Sequence, residues 1–369
     1  MSKLNKISGA EAVIKSLLEE GVDLIYGYPG GAIMPIYDEL YKYQNKLNHV
    51  LTRHEQGATH AAQGYARVSG KVGVVTATSG PGATNLVTGI ADAQIDSTPM
   101  VCITGQVASH LLGSDAFQEC DIIGISTPVT KWNCQITKAS DIPEVIAKAF
   151  YIAKSGRPGP VLIDITKDAQ FELMEFKYKK CHSIRSYTPI PKFSINEINK
   201  AAELINSSKK PFIVWGQGVT LGNAETEFKE FIEKTGIPAA STILGLSALS
   251  TDHPLHVGML GMHGNYGPNI LTNKCDFTNI DKIPNLSVNI NKWIYAELIE
   301  AKSKIEKNLE DYRFDEAAKN AYQFAWHSYC DWYLELSKTI LFSDNEGAKS
   351  EVKKVSSYVF KQILILLHP

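Results

Sequence analysis

The stretch Val72-Gly-Val-Val-Thr-Ala-Thr-Ser-Gly-Pro-Gly82 joins an apolar run rich in β-branched residues to a turn rich in glycine and proline. The run Val72–Thr78 predicts a buried strand, because such residues suit a pleated sheet covered on both faces. A helical pattern over Thr84–Gln94 follows the turn and leads to a second apolar strand at Met100–Thr104. Strand, helix and strand in this order are typical of a parallel sheet, so the stretch predicts an α/β fold.

The same alternation extends to both sides of this stretch. Ser8-Gly-Ala-Glu11 is typical of a capping box, with Ser8 as N-cap of the first helix and Glu11 reaching back. We therefore predict a doubly wound parallel sheet in a first domain that covers residues 1–180. Its further predicted strands are Leu24–Tyr26, His49–Thr52 and Val161–Ile165, and its further predicted helices are Ile33–Tyr43, Gln56–Val68 and Ile142–Lys154.

A second α/β pattern begins after a stretch without periodicity over residues 171–191. It stops after Gly264, which predicts a truncated second α/β domain over residues 190–276. Its predicted elements are the helices Ile195–Asn206 and Ala224–Thr235 and the strands Pro211–Trp215 and Pro238–Thr242.

The composition changes abruptly after Cys275, since only one of the 27 glycines, Gly347, lies beyond it. An α-helical bundle is predicted for residues 277–369. We expect the aromatic side chains of Trp326, Trp332 and Tyr333 in its core, in preference to a role in stacking on RNA bases. The amphipathic helices are predicted at Ile290–Asn308, Phe314–Ile340 and Glu351–Leu367.

Composition and charge exclude several classes of protein. With 37 Lys and Arg against 39 Asp and Glu, the net charge of -2 gives no overall basic field for nucleic acid. The six cysteines form no CxxC pair and the ten histidines no HExxH motif, so we expect no metal site within the chain. No apolar run approaches the roughly 18 residues that span a membrane, and the predicted location is the cytoplasm.

Candidate site residues follow the predicted strands, where open parallel sheets bind ligands. The turns after Tyr28 and after Ser79 contain glycines that permit a close approach to a ligand, although tight turns without a ligand are the commoner explanation. Gly216-Gln-Gly-Val-Thr-Leu-Gly222 is similar to a dinucleotide fingerprint, but its last spacing is one residue too long. Glu55 lies at the junction of a predicted strand and a predicted helix, where a carboxylate either interacts with the helix dipole or serves proton transfer.

Six motifs, taken in this order, resemble the large, catalytic subunit family of acetolactate synthase, which uses thiamine diphosphate. The resemblance covers about Lys6–Asp276 and is far more specific than any one motif. The motifs are Gly27-Tyr-Pro-Gly-Gly-Ala-Ile-Met-Pro35, Arg53-His-Glu-Gln-Gly-Ala58, Thr78-Ser-Gly-Pro-Gly-Ala-Thr-Asn85, Asp115-Ala-Phe-Gln-Glu119, Gly156-Arg-Pro-Gly-Pro160 and Gly258-Met-Leu-Gly-Met-His-Gly264.

The resemblance implies a role for each matched residue. Glu55 would hydrogen-bond the aminopyrimidine ring of the cofactor and support proton transfer there, and Gln118 would lie on the substrate side. The residues implied to contact thiamine diphosphate are Tyr28, Pro29, Gly30, Gly31, Ala32, Thr78, Pro81, Gly82 and Asn85. Those implied to contact FAD are Arg157, Gly216, Gln217, Gly218, Thr242, Leu260, Gly261, Met262 and His263.

The implied reaction is decarboxylation of pyruvate and condensation of the two-carbon unit with a second 2-keto acid, pyruvate or 2-ketobutyrate. The products lead to the branched-chain amino acids. The family also implies a homodimer or tetramer and a regulatory small subunit. It needs a third domain that binds Mg²⁺ and the diphosphate through a Gly-Asp-Gly sequence, which is absent from these 369 residues. We therefore expect the chain alone to be inactive.

The final segment resembles a different family. Asn291-Lys-Trp-Ile294, Tyr312-Arg-Phe-Asp-Glu-Ala-Ala318 and the stretch Trp326–Lys338 are similar to the helical anticodon-binding region of valyl-tRNA synthetase. The resemblance implies an alternative function, in which the helices bind tRNA and the rest is a non-catalytic scaffold. A third alternative is an inert fusion of two gene fragments.

Overall fold

The computed structural model describes residues 6–274 and 286–367. The chain divides into two compact units between Ile195 and Asn196. The predicted division of the second unit at residues 276 and 277 lies outside the described residues, so that boundary stays a prediction. No helix among the described residues is long and apolar enough to cross a membrane.

The first unit is built on a six-stranded sheet in which every neighbouring pair is parallel, in the order β3-β2-β4-β5-β7-β6. A short antiparallel pair, β1 with β8, lies apart from it. The strands are β1 (Ile7–Ser8), β2 (Leu24–Gly27), β3 (Asn48–Leu51), β4 (Gly73–Ala77), β5 (Met100–Gln106), β6 (Trp132–Ile136), β7 (Pro160–Thr166) and β8 (Leu173–Met174). The helices are α1 (Gly9–Glu19), α2 (Met34–Lys42), α3 (Glu55–Ser69), α4 (Pro81–Asn85), α5 (Val87–Ile95), α6 (Ile122–Ser126), α7 (Ile142–Lys154) and α8 (Lys167–Phe171).

The doubly wound sheet predicted for this unit is confirmed. Every residue of β4, β5 and β7 is buried, as the apolar runs in the sequence predict. The chain runs from β2 outward to β3 and then crosses back to β4, which places the topological switch point between β2 and β4. Ligands of open α/β sheets bind at the carboxyl ends of the strands at such a point.

Three local predictions in this unit need correction. Ser8 caps α1, and its Oγ accepts a hydrogen bond from the backbone N–H of Glu11 at 3.1 Å. The carboxylate of Glu11 does not reach back to Ser8 but bonds the hydroxyl of Tyr43 and the ammonium of Lys15. The helix predicted over Thr84–Gln94 is two helices, α4 and α5, because Pro81 already starts a helical turn. Strand β6 is missing from the sequence prediction, although its alternating apolar and polar residues are typical of a half-buried edge strand.

The second unit begins with a smaller three-stranded parallel sheet in the order β11-β10-β9, as predicted for an α/β region. Its strands are β9 (Ile213–Trp215), β10 (Ala239–Ser241) and β11 (His256–Met259), and its helices are α9 (Ile195–Ser207), α10 (Gly218–Leu221), α11 (Glu225–Thr235) and α12 (Tyr266–Lys274). Trp215 and Ile232 anchor a small core between this sheet and α11. Helix α9, in contrast, has no buried residue.

The helical region predicted for the end of the chain is confirmed. It comprises α13 (Asn289–Glu310), α14 (Phe314–Gln323), a π-helical segment (Phe324–Leu334), α15 (Glu335–Leu341) and α16 (Glu346–Leu367). Tyr333 lies in the core and is fully buried, as predicted. The same prediction is wrong for Trp326 and Trp332, which are 53% and 60% exposed, because the π-helical turn carries both rings outward.

Candidate functional site

The carboxyl ends of β2, β3 and β4 meet at one edge of the six-stranded sheet. Tyr28–Ala32 follows β2, Glu55 follows β3, and Thr78–Gly82 follows β4. The backbone N–H of Ala32 donates to Oγ1 of Thr78 at 3.2 Å, which ties the first turn to the third. The structure therefore brings together the three motifs that the sequence predicts to form one site.

Glu55 is the first residue of α3 and is buried. Its Oε2 accepts a hydrogen bond from Nδ2 of Asn85 at 3.0 Å. A Cβ atom placed on Gly82 would lie 3.3 Å from the other oxygen, Oε1. One carboxylate oxygen is thus held by an amide, while the second faces the Gly82 turn and is available to a ligand.

At two positions of this edge, Gly30 and Gly82, neighbouring atoms leave no space for a side chain. A Cβ atom on Gly30 would lie 2.5 Å from Cβ and Cγ2 of Thr78, and one on Gly82 would lie 2.8 Å from Cγ2 of the same residue. Such distances do not occur between real side chains, so any larger residue would push the turns apart. The Gly30 and Gly82 turns therefore pack directly on Thr78, beside Glu55.

Gln118 approaches the same edge through its backbone. A Cβ atom on Gly80 would lie 2.6 Å from the carbonyl oxygen of Gln118, and Gly80 has a positive φ of 55°. Gln118 itself adopts a positive φ of 59°. The loop that carries Gln118 therefore packs directly on the turn after β4, next to Pro81.

Tyr37 is a neighbour of this site that sequence reasoning misses. Its hydroxyl lies 3.0 Å from Oγ1 of Thr76, two residues before Thr78. Burial raises the pKa of Tyr37 to about 12, and the negative charge of nearby Glu55 adds to the rise. The signal in the sequence is its position four residues after Ile33 on α2, which places both side chains on the buried face.

The second group of predicted residues lies at the carboxyl edge of the three-stranded sheet. Gly216, Gln217 and Gly218 follow β9, Thr242 follows β10, and Leu260, Gly261, Met262 and His263 follow β11. The backbone N–H of Thr242 donates to the carbonyl of Trp215, and that of Leu260 to the carbonyl of Ser241. Met262 and His263 are exposed.

Arg157, which the resemblance assigned to the same cofactor, belongs to the first unit. Its Nε donates to the hydroxyl of Ser97 at 2.7 Å, and its Nη2 donates to the carbonyl of Ile95 at 2.8 Å. These bonds secure the end of α5. The contact of Arg157 with FAD stays a prediction.

Three family models match the chain, each over a different range. Residues 7–125 match the family model described as thiamine pyrophosphate enzyme, N-terminal TPP binding domain. Residues 198–278 match the central domain of the same enzymes. The chain carries the N-terminal and central domains of a thiamine pyrophosphate enzyme. Residues 291–369 match a different model, the anticodon-binding domain of tRNA ligase.

Among its relatives, the chain is similar to the acetolactate synthase large subunit of Corynebacterium glutamicum, with 52% identity over 259 residues. That match covers 70% of this chain and 41% of the relative. The large subunit of Lactococcus lactis is 46% identical over 277 residues, covering 74% and 48%, and a probable large subunit of Methanococcus aeolicus is 49% identical, covering 73% and 45%. The chain thus spans less than half the length of these curated relatives.

The residues of the first edge fit the pyrimidine half of thiamine pyrophosphate, also called thiamine diphosphate. The fit rests on Oε1 of Glu55, which faces the Gly82 turn, and on Gly31 in the neighbouring turn, where a Cβ atom would meet nothing within 4 Å. Within residues 6–274 and 286–367, no three His, Cys, Asp or Glu side chains are grouped so that they could hold a metal ion.

Proposed function

We propose that this chain supplies the pyrimidine-binding half of a thiamine diphosphate site of the acetolactate synthase type. The observation that carries the proposal is the arrangement of Glu55, with Oε2 held by Asn85 and Oε1 facing the Gly82 turn. A carboxylate oxygen in this place can accept a hydrogen bond from a ring nitrogen and hold or release a proton there. When bound, the cofactor supplies the electron sink for cleavage of a 2-keto acid.

The substrates and partners proposed here are those that the family resemblance implies. We propose pyruvate and 2-ketobutyrate as the 2-keto acids, with Gln118 on their side of the site, in the synthesis of branched-chain amino acids such as valine and isoleucine. Assembly as a homodimer or tetramer and binding of a small regulatory subunit belong to the same proposal.

We further propose that the 369-residue chain does not form acetolactate by itself. The described residues offer the diphosphate no metal cluster, and the residues after position 286 form helices rather than a third domain of this family. The edge of the sheet beside Glu55 offers the cofactor a few hydrogen bonds, each contributing about 1 kcal/mol. That is too little to offset the several kcal/mol lost when a flexible ligand is immobilised.

Two assays test these proposals together. The chain alone, with pyruvate, thiamine diphosphate, Mg²⁺ and FAD in excess, should form no acetolactate; sustained formation that is lost in Glu55→Gln would refute its inactivity. A chimera that joins residues 1–278 to the remaining part of the Corynebacterium glutamicum subunit should be active. In that chimera Glu55→Gln should reduce turnover severely, whereas the control Asp38→Asn, an exposed carboxylate on α2, should not. Near-normal turnover of Glu55→Gln would refute the role of Glu55.

FAD is proposed as the ligand of the second edge in the complete enzyme. Supporting this, a Cβ atom on Gly218 or Gly261 would meet nothing within 4 Å, so both turns offer open space to a ligand. Because Met262 and His263 are exposed, we expect the isolated chain to hold FAD weakly. A yellow protein that keeps stoichiometric FAD through gel filtration would contradict this expectation.

A second candidate function, tRNA binding by the helices after residue 286, is favoured by one observation. The rings of Tyr322 and Trp326 are stacked at 6.3 Å with an interplanar angle of 6°, and both are exposed. Exposed aromatic faces can stack on unpaired bases. If this candidate is correct, tRNA binding should persist at physiological salt and weaken in Trp326→Ala. Binding that salt abolishes would reflect charge alone and refute it, leaving an inert fusion as the account of this segment.

A further inference from the structure

The carboxylate of Glu119 is bonded to the loop that precedes it. Its Oε1 accepts a hydrogen bond from the backbone N–H of Gly113, and its Oε2 accepts one from the N–H of Ala116 at 3.0 Å. The backbone N–H of Glu119 also donates to the carbonyl of Ala116 at 2.8 Å. One side chain therefore closes a ring of seven residues, from Gly113 to Glu119.

This loop has a backbone that needs such support. Asp115 and Gln118 both adopt left-handed conformations, with φ of 56° and 59°. Residues other than glycine enter this region rarely and stay there only when the surroundings hold them. The Gly113 and Ala116 amides bonded to Glu119 lie on both sides of Asp115, so the carboxylate holds the first of these turns.

The downstream end of the loop is anchored separately. Nε2 of Gln106 donates to the carbonyl of Cys120 at 2.9 Å and to Oδ2 of Asp164 at 3.1 Å. Asp164 is buried in the sheet. Gln118 thus lies between Cys120, which is anchored, and the segment that Glu119 closes. The carbonyl of Gln118 packs on Gly80.

We propose that Glu119 is a positioning residue, whose carboxylate closes the Gly113–Gln118 loop and thereby fixes Gln118 against the Gly80 turn of the candidate site. The significance of this placement rests on the proposed function, in which Gln118 lies on the substrate side. The closure itself is a property of the chain without any ligand.

The closure depends on the charge of Glu119. Hydrogen bonds from Gly113 and Ala116 hold its pKa below the ordinary value of 4.5. The loop is therefore closed near neutral pH and should open as the pH falls through that lowered pKa. The other titratable groups beside it are Asp115 within the loop, Cys120 and Asp121 after it, and His110 before it, while the Ser79-Gly80-Pro81 turn carries none.

Amide NMR and hydrogen exchange on the full chain, without cofactor, test the proposal. In Glu119→Ala, exchange at Gly113 and Ala116 should rise at least about fivefold, as expected for one lost hydrogen bond. The amide signals of Gly80 and Gln118 should shift, while those of the buried strand residues Val75 and Cys102 stay in place. The control Asp115→Asn removes a neighbouring carboxylate and keeps a residue that tolerates positive φ. It should leave unchanged both the exchange at Gly113 and Ala116 and the amide signals of Gly80 and Gln118.

Acid titration of the unmodified chain gives a second measurement that does not depend on how the Ala variant folds. The Gly80 signal should titrate with a midpoint below 4.5, and Glu119→Gln should abolish that titration. The proposal is overturned if Gly80 and Gln118 are unmoved in Glu119→Ala, or if the Gly80 titration persists in Glu119→Gln. Neither measurement uses cofactor or turnover. If the loop-closure proposal fails these tests, the proposed function still stands, and if the chimera assay fails, the loop closure still stands.

Discussion

At the carboxyl edge of the six-stranded sheet, a Cβ atom on Gly30 would overlap Thr78, whereas at the edge of the three-stranded sheet one on Gly218 would meet nothing within 4 Å. Both edges carry glycine-rich turns after parallel strands, and the sequence alone treats them alike. The difference shows that a glycine in such a motif either permits close packing of protein atoms or borders open space, and the motif alone does not distinguish the two. At Gly30 the space is already occupied by Thr78, and at Gly218 the turn is open.

The cores beneath the two edges differ in the same way. All residues of β4, β5 and β7 in the first unit are buried. In the three-stranded sheet, β11 is only half-buried, and α9 leaves Ile198 and Leu204 exposed. A well-packed sheet fixes the side chains at its edge, so the comparison predicts unequal costs for matched substitutions in the two units.

The largest effect is expected from a matched pair in the two sheets. Ile163→Ala empties a fully buried position in β7 and should lower the free energy of unfolding of the first unit by about 4 kcal/mol. Ile213→Ala in β9 removes a half-buried side chain and should cost about 1 kcal/mol. Hydrogen exchange of peptides from β7 and β9 in increasing urea measures each unit separately. Equal costs at the two positions would contradict the comparison.

A second matched pair tests the glycines themselves. Gly30→Ala should cost about 2–3 kcal/mol and weaken binding of thiamine diphosphate to the chimera, because Thr78 is held by its bond to Ala32 and cannot move aside. Gly218→Ala lies at the first turn of α10 in open space and should be neutral or stabilise by up to about 1 kcal/mol. Urea unfolding and calorimetric titration measure both. A neutral Gly30→Ala would show that the Gly30 turn does not pack on Thr78 as tightly as described.

Much of the fold could be predicted from the sequence because its strands are long apolar runs separated by amphipathic helices. Helix α7 begins and ends where its pattern predicts, at Ile142 and Lys154. Strand β6 was missed although Trp132–Ile136 alternates apolar and polar residues as a half-buried edge strand does, and its polar Gln135 bonds buried Asp164. The break between α4 and α5 was hidden, because it depends on how the Pro81 turn packs.

The candidate site, too, could be predicted from the sequence only in part. Motif order was enough to bring Glu55, Thr78 and Gly30 together, since the carboxyl ends of parallel strands share an edge. The bond from Asn85 to Glu55, the approach of Gln118 to Gly80 and the place of Tyr37 depend on three-dimensional packing that no local pattern records. The exposed Trp326 and Trp332 are the converse case, because an α-helical period gave the wrong face for a π-helical segment.

Charged groups extend the comparison to smaller effects, beginning with Glu351 in the helical region. Burial pushes the pKa of this carboxyl up, but hydrogen bonds from Asn291, Ser287 and Val288 outweigh burial and hold it below the ordinary 4.5. Its contribution to stability is therefore present above about pH 4.5 and is lost as the pH falls through the lowered pKa. Glu351→Gln should cost about 1–2 kcal/mol at neutral pH.

The measurement is urea unfolding of the helical region at pH 7 and at acid pH. The difference in unfolding free energy between the unmodified protein and Glu351→Gln should shrink as the pH falls, since protonated Glu351 resembles glutamine. A cost that stays constant with pH would indicate lost packing rather than lost charge, and would contradict the assignment. Ser287→Ala is the matched control, because it removes one donor to Glu351 and leaves the carboxylate in place.

The smallest effect is expected for the ion pair of Lys71 and Asp23, in which the ammonium lies 2.6 Å from the carboxylate and both side chains are half-exposed. Water screens such a pair, and ordering two side chains offsets most of the attraction. Lys71→Met should therefore leave the urea midpoint of the first unit unchanged within error. The loss should still be visible in the charge of its partner, because the hydrogen bond from Lys71 is the largest cause of the lowered pKa of Asp23, followed by that from Tyr65. In the variant, that pKa should rise toward its ordinary 3.8, as followed by carboxyl NMR. A midpoint shift as large as that of Gly30→Ala would mean that surface charge, and not the packed sheet, stabilises this unit.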